Sequence, residues 1–164
     1  PFDDYAMAGR TYRYMQAEPL LPFGFGLSYT RFEYGGLKLA AAEVRAGDEL
    51  ALSVDVRNVG PGPADEVVQL YLKDEDAPAP APLRRLVGFR RVTLRPGEKR
   101  TLRFTLPARE MARFDERGRC LAAPGAYTLT VGGSQGDARS LALGAEPVLT
   151  ARFAIVGEPR ELPA

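Results

Sequence analysis

Alternation of apolar and polar residues with a period of two constrains the fold of this chain most. It begins at about residue 50, where LALSVDVR occupies residues 50–57, and it returns in TLRFTL at residues 101–106 and YTLTV at residues 127–131. A strand with one buried face has this period, because successive side chains point to opposite sides of the sheet. We therefore expect strands in these segments and a closing strand at residues 149–155.

Glycine and proline divide the chain into short runs. Asn58, Gly60, Pro61, Gly62 and Pro63 follow the first strand, Pro96-Gly97 fits a type II turn, and Pro124-Gly125 predicts another turn. Between them, EVVQLYLK at residues 66–73 is apolar on both faces, which is typical of a central strand. A strand is also expected at residues 83–94, with Gly88 marking a bulge or a close backbone approach.

This pattern of about seven short strands predicts an all-β fold, an immunoglobulin- or fibronectin type III-like β-sandwich with an irregular N-terminal extension. One helical turn is expected around residues 110–113. Residues 74–82 (DEDAPAPAP) combine acids with Pro-Ala repeats, which favour an extended, solvated loop.

Composition excludes several classes of function. The 164 residues include 22 Lys and Arg against 21 Asp and Glu, so no strong field favours nucleic acid or an anionic membrane as partner. There is no histidine, and Cys120 is the single cysteine. Disulfides, Cys/His zinc sites and histidine-dependent triads are therefore excluded, and we expect no metal and no cofactor.

We searched the sequence for segments that would direct the protein to a membrane or a compartment. No apolar run approaches the roughly 18 residues of a membrane helix, and no signal-peptide pattern is visible. The protein from which this chain comes could therefore be periplasmic, secreted or cytoplasmic. Because Pro1 opens the chain, we expect the sequence to start inside a longer protein.

The first 30 residues differ from the rest of the chain. Six of the fifteen aromatic residues lie within the first 25 positions, without a clear period: Phe2, Tyr5, Tyr12, Tyr14, Phe23 and Phe25. Such a segment cannot bury itself alone, so it should pack across the sandwich or against a preceding domain. We predict interdomain contacts for Tyr12, Tyr14, Phe23 and Phe25, with stacking on sugar rings as the alternative.

Several stretches, taken in order, resemble the C-terminus of family 3 glycoside hydrolases, the β-glucosidase family. They are GRTYRY at residues 9–14, PLLPFGFGLSYTRFEY at 19–34, VRNVGPGPADEVVQLYL at 56–72, LVGFRRVTLRPGEKRTLRFTL at 86–106 and PGAYTLTVGGS at 124–134. The resemblance divides the chain into the end of a preceding α/β catalytic domain with its linker (residues 1–30), a fibronectin type III-like sandwich (31–157) and a tail (158–164).

The resemblance implies that catalysis belongs to other domains of the parent enzyme. In the family a barrel supplies the nucleophile and the second domain usually supplies the acid/base, and neither motif occurs here. The chain is thus expected to be a non-catalytic accessory domain that stabilises or docks onto the catalytic domains. A carbohydrate-binding module is the alternative. Ala81, Arg85 and Cys120 depart from the usual pattern, and we expect these departures to affect surface contacts rather than the fold.

Clusters of charged residues could in principle form a calcium loop, a pair of catalytic carboxyls or a nucleic-acid site, but the sequence does not favour any of these. Asp74, Glu75 and Asp76 lack the spacing of a calcium loop, and nothing pairs Asp115 or Glu116 as glycosidase carboxyls, so we assign no catalytic residue. A basic stretch is better explained as a solvated or docking face than as a nucleic-acid site, with Phe89 pointing inward. Its members are Arg84, Arg85, Arg90, Arg91, Arg95, Lys99, Arg100 and Arg103.

Overall fold

The computed structural model describes residues 7–115 and 117–163. Phe2 and Tyr5 lie outside the described residues. Strands dominate the described chain, and each of its three helices has four or five residues. In chain order the elements are α1 (Thr11–Tyr14), β1 (Phe32–Leu39), β2 (Glu43–Arg45), β3 (Leu50–Asn58), β4 (Ala64–Asp74), β5 (Arg85–Leu94), β6 (Lys99–Leu106), α2 (Ala108–Met111), β7 (Arg113–Phe114), β8 (Cys120–Ala122), β9 (Gly125–Gly132), α3 (Ala138–Ala142), β10 (Leu149–Val156) and β11 (Arg160–Glu161).

Two main sheets form the β-sandwich that the sequence predicts. One has the order β1-β3-β6, and the other has the order β2-β10-β9-β4-β5, in which only the β2–β10 pair is parallel. The inward side chains of both sheets join in one apolar cluster that includes Val54 and Val56 of β3, Leu70 of β4 and Leu129 of β9. The two main sheets hold eight strands, where the sequence predicts about seven. β2 has only three residues, too few to show a period in the sequence.

A third, small sheet has the order β11-β8-β7. Its strand β11 (Arg160–Glu161) pairs with β8 and lies within residues 158–164, which the sequence predicts to be a tail. Cys120 of β8 is buried rather than at the surface. The expectation that the Cys120 departure affects surface contacts is therefore wrong, since alternation within a three-residue strand is too short to reveal its buried side.

The turn predicted at Pro96-Gly97 is present, whereas the turn predicted at Pro124-Gly125 is not, because Gly125 is already the first residue of β9. Gly97 has a φ of +77°, and the Glu98 amide donates to the Arg95 carbonyl oxygen at 2.9 Å, as a type II turn requires. The helical turn forms as α2, two residues earlier than expected, directly after Pro107. Pro107 is the N-cap, and its ψ of 153° keeps it extended and outside the helix.

A β-bulge in β5 reverses the alternation of that strand. Gly88 pairs with Leu70 but Leu86 pairs with Tyr71, so Val87 is the extra residue. Beyond the bulge, even-numbered residues face the core and Phe89 points outward, 68% exposed. The bulge predicted at Gly88 is thus confirmed, whereas the inward orientation predicted for Phe89 is wrong.

Candidate functional site: the anchored N-terminal segment

The segment before β1 lies on the outer face of the five-stranded sheet, where three aromatic rings meet. The Tyr12 ring stacks on Phe23 with centroids 4.0 Å apart and meets Tyr71 of β4 edge-on at 6.3 Å. The Tyr12 hydroxyl accepts a hydrogen bond from the Leu86 amide at 2.9 Å. We call Tyr12, Phe23 and Tyr71 the aromatic seam. It fixes α1 against β4 and β5.

Gln69 of β4 is the polar anchor beside this seam. Its side-chain Nε2 donates to the carbonyl oxygens of Gly24 at 2.9 Å and Gly133 at 2.8 Å. Its Oε1 accepts from the Tyr71 hydroxyl at 2.6 Å. Gln69 is buried. Burial also raises the pKa of the Tyr71 phenol, so its hydroxyl stays protonated and can donate to Gln69.

Gly24 is where the segment comes closest to the sheet. Its φ is +76°, and an added Cβ would lie far inside van der Waals contact with Gln69 Oε1 and Tyr71 Oη. Only glycine combines this backbone conformation with such an approach. The segment thus has a fixed path over the sheet between Tyr12 and Gly24.

The four aromatics predicted as interdomain contacts separate into two groups. Tyr12 and Phe23 join the seam. Tyr14 is half-buried and lines a separate cleft beside the Pro-Ala loop. Half-buried Phe25 has its amide bonded to the Pro22 carbonyl oxygen at 3.2 Å. Their contact with another domain stays a prediction.

The segment also presents large apolar side chains to solvent, and Phe23 of the seam is one of them. Leu20 is 82% exposed, Leu21 65%, Leu27 81%, Phe23 45% and Tyr29 fully exposed. We call these five residues the exposed apolar segment. Single exposed leucines are common on proteins, but five large apolar residues within ten positions are typical of an interaction surface.

Sequence reasoning missed the polar anchor and most of this exposed segment. Gln69 lies in a run that the sequence correctly marks as covered on both sides, and a glutamine in such a run signals a buried hydrogen-bonding role. Leu20, Leu21, Leu27 and Tyr29 follow no period, so no pattern distinguishes them from core residues.

Comparison with known proteins identifies the family. The model of the fibronectin type III-like domain family matches residues 66–135. A β-xylosidase of Formosa agariphila is 41% identical over 132 residues, which are 80% of this chain and 18% of that protein. A β-glucosidase of Bacteroides ovatus is 33% identical over 138 residues, 84% of this chain and 18% of that protein. The chain belongs to the fibronectin type III-like domains of family 3 glycoside hydrolases.

Solved structures agree with this assignment of the fibronectin type III-like domain. A β-glucosidase from Erythrobacter marinus superposes with a TM-score of 0.75 at 33% identity, covering 90% of this chain and 18% of that one. A β-glucosidase from Listeria innocua in complex with glucose gives 0.75 at 28% identity, covering 96% and 20%. The domain therefore spans about a fifth of the length of the relatives that it matches, and the resemblance found in the sequence is confirmed.

The acids of the domain's loops take part in its own structure. Glu75 accepts from Thr128 Oγ1 at 2.7 Å, Asp76 Oδ2 accepts from the Ala126 amide at 2.8 Å, and Asp74 lies 3.3 Å from Arg113 Nη1. Asp115 accepts from Arg119, whose backbone hydrogen bond lowers the pKa of this carboxyl. Glu116 lies outside the described residues.

The described residues contain no group of three or more His, Cys, Asp or Glu side chains placed to hold a metal ion. Within the same part of the chain, no helix has the length and apolarity to cross a membrane.

The basic residues of β5, β6 and their turns are mostly engaged within the domain. Arg91 pairs with Asp65, Lys99 lies 2.7 Å from Asp55, and Arg100 pairs with Glu98. Arg90 lies over the Phe104 ring at 5.0 Å. Alternating charges of this kind give a solvated face rather than a continuous basic track.

Proposed function

We propose that this domain stabilises the catalytic domains of a β-glucosidase- or β-xylosidase-like hydrolase by docking against them through its N-terminal segment. It is an accessory fibronectin type III-like domain, and its relatives are several times longer. The observation that carries the proposal is the exposed apolar segment, which the aromatic seam and Gln69 hold in place. The sugar specificity of such a hydrolase would belong to its other domains.

Docking would gain from burial of this segment. Complete burial of one leucine side chain contributes about 1.5–3 kcal/mol. Because Tyr12, Gly24 and Gln69 already fix the backbone, little conformational entropy is lost on contact. Arg139 of α3 adds a further tie, since its Nη2 donates to the Leu20 carbonyl oxygen at 3.4 Å.

The decisive experiment separates folding of the domain from docking. Leu20→Ser, Leu27→Ser and Tyr29→Ser are combined, both in the 164-residue chain and in the longer hydrolase that carries it. The isolated chain should keep its stability within about 0.5 kcal/mol, because the three side chains are solvated. The longer enzyme should melt about 2–5 °C lower.

Phe114→Ser is the matched control, because Phe114 is also 65% exposed but belongs to β7. It should leave both proteins unchanged. If the triple substitution left the melting temperature of the longer enzyme unchanged, the docking role would be overturned.

A further inference from the structure

A second concave surface lies away from the exposed apolar segment. The Pro-Ala loop, including Pro80 and Pro82, forms one side of a cleft of about 250 Å³, and Phe114 of β7 and Tyr14 of α1 line it as well. Pockets for drug-sized ligands have volumes of about 300–1,000 Å³. This cleft is smaller, and its size suits one sugar unit rather than a longer oligosaccharide.

Three guanidinium groups line this cleft against one carboxylate. They belong to Arg13, Arg85 and Arg113, and the carboxylate is that of Asp74. Asp74 Oδ2 lies 3.3 Å from Arg113 Nη1, so this pair partly neutralises itself. The local charge is thus positive in a chain whose formal net charge is only +1.

Arg85 is held rigidly at the cleft without a carboxylate partner. Its Nη2 donates to the carbonyl oxygens of Glu110 at 3.1 Å and Ala112 at 2.9 Å. None of the carboxylates in the described residues lies within ion-pair distance of Arg85 or Arg13. Burial, and then the charge of Arg13, lower the pKa of Arg85, while the charges of Glu110 and Asp74 act in the opposite direction. An anion bound by both Arg13 and Arg85 would offset the repulsion between these two guanidinium groups.

The walls favour a particular anion. Phe114 is 65% exposed, and half-buried Tyr14 and the prolines add further apolar surface. An aromatic face matches the apolar C–H face of a pyranose ring. Arginine binds a carboxylate through two parallel hydrogen bonds, and a bare phosphate would leave the aromatic walls unused.

We propose that this cleft binds the carboxylate-bearing unit of an acidic saccharide, a hexuronic acid residue, with its carboxylate on Arg13 and Arg85 and its ring against Phe114. This gives the carbohydrate-binding alternative a site and a ligand class. It does not rest on the docking role, because Leu20, Leu27 and Tyr29 do not line the cleft.

The test uses the 164-residue chain and a matched pair of ligands. Methyl β-D-glucuronide and methyl β-D-glucoside differ only at C6, and each is titrated by NMR and calorimetry. The acid should bind at least about tenfold tighter than the neutral sugar, and added salt should weaken it. Amide signals of Ala77, Ala79 and Ala81, and of residues 112–114, should shift.

Variants locate the binding. Phe114→Ala and Arg13→Gln remove exposed side chains, so folding is retained, and each should weaken glucuronide binding about fivefold or more. Phe89→Ala and Arg103→Gln are the controls, an aromatic and an arginine outside the cleft. Equal affinity for the two sugars, absence of binding up to about 20 mM, or equal loss in the control variants would each overturn the proposal.

Discussion

Gln69 is a buried polar residue whose replacement should destabilise the domain. Its three hydrogen bonds satisfy the Gly24 and Gly133 carbonyl oxygens and the Tyr71 hydroxyl, where the N-terminal segment meets β4. A leucine has a similar volume but leaves these groups unpaired. Gln69→Leu should therefore lower the free energy of unfolding by about 2–3 kcal/mol in a urea titration.

The control for Gln69 is its cross-strand partner, Phe89. Phe89 faces the same side of the sheet and is exposed, so Phe89→Ala should change stability by less than about 0.5 kcal/mol. If both variants lost the same free energy of unfolding, the hydrogen bonds of Gln69 would not be the cause of its stabilising effect.

Two adjacent acids of β4 should respond to pH with opposite signs. Burial raises the pKa of Glu66, so the folded state binds its proton more tightly than the unfolded chain does. That contribution to stability is present below the ordinary glutamate pKa and is lost as pH rises through the folded value. Glu66→Gln should thus raise stability at pH 7 and lose this advantage near pH 4.

Asp65 gives the opposite case. Hydrogen bonds from Thr93 and then Arg91 lower its pKa, so its contribution is present above the ordinary aspartate pKa and is lost as pH falls. Asp65→Asn should destabilise the domain at pH 7, and the difference should shrink on acidification. Melting curves of both variants from pH 3 to pH 8 check the pair, and parallel profiles would contradict it.

At the scale of elements, the N-terminal segment depends on one glycine. Gly24→Ala would force a Cβ into Gln69 and Tyr71 at a φ of +76°. The segment should lift from β4, with a loss of about 2 kcal/mol or more in unfolding free energy. Gly26→Ala is the control, because an added Cβ there meets nothing within 4 Å. A neutral Gly24→Ala would mean that the segment is not fixed as described.

Sequence predicted the strands well where one face is buried and less well where the pattern is interrupted. β3 alternates without a break, so its bounds follow from the period, whereas β9 begins at Gly125, two residues before its alternation does. In β5 the extra Val87 reverses the alternation, so Phe89 is assigned to the wrong face. Short β2, β7, β8 and β11 have two or three residues each, too few for a period.

The candidate site was only partly predictable for a related reason. Tyr12 and Phe23 stand out because aromatics are dense before residue 30. That Tyr12 packs on Tyr71, while Leu27 and Tyr29 stay in solvent, depends on the path that Gly24 and Gln69 impose. Such tertiary contacts join residues about 45–60 positions apart and leave no local pattern.

For the whole molecule, the main question is what the domain contributes to a longer hydrolase. Its interior is filled by side chains of both sheets, and its loop acids hold its own turns. A retaining glycosidase needs two carboxyls about 5–5.5 Å apart in a sugar-binding pocket. We propose that this chain contributes structurally to such a hydrolase, through the exposed apolar segment.

Deletion of residues 20–163 from the longer hydrolase removes both the exposed apolar segment and the sandwich, and the half-life of the truncated enzyme is then measured at elevated temperature. We expect faster inactivation and a lower melting temperature, with no hydrolysis of an aryl β-glucoside by the 164-residue chain alone. A truncated enzyme with unchanged half-life and full activity would show that the domain does not stabilise the catalytic domains.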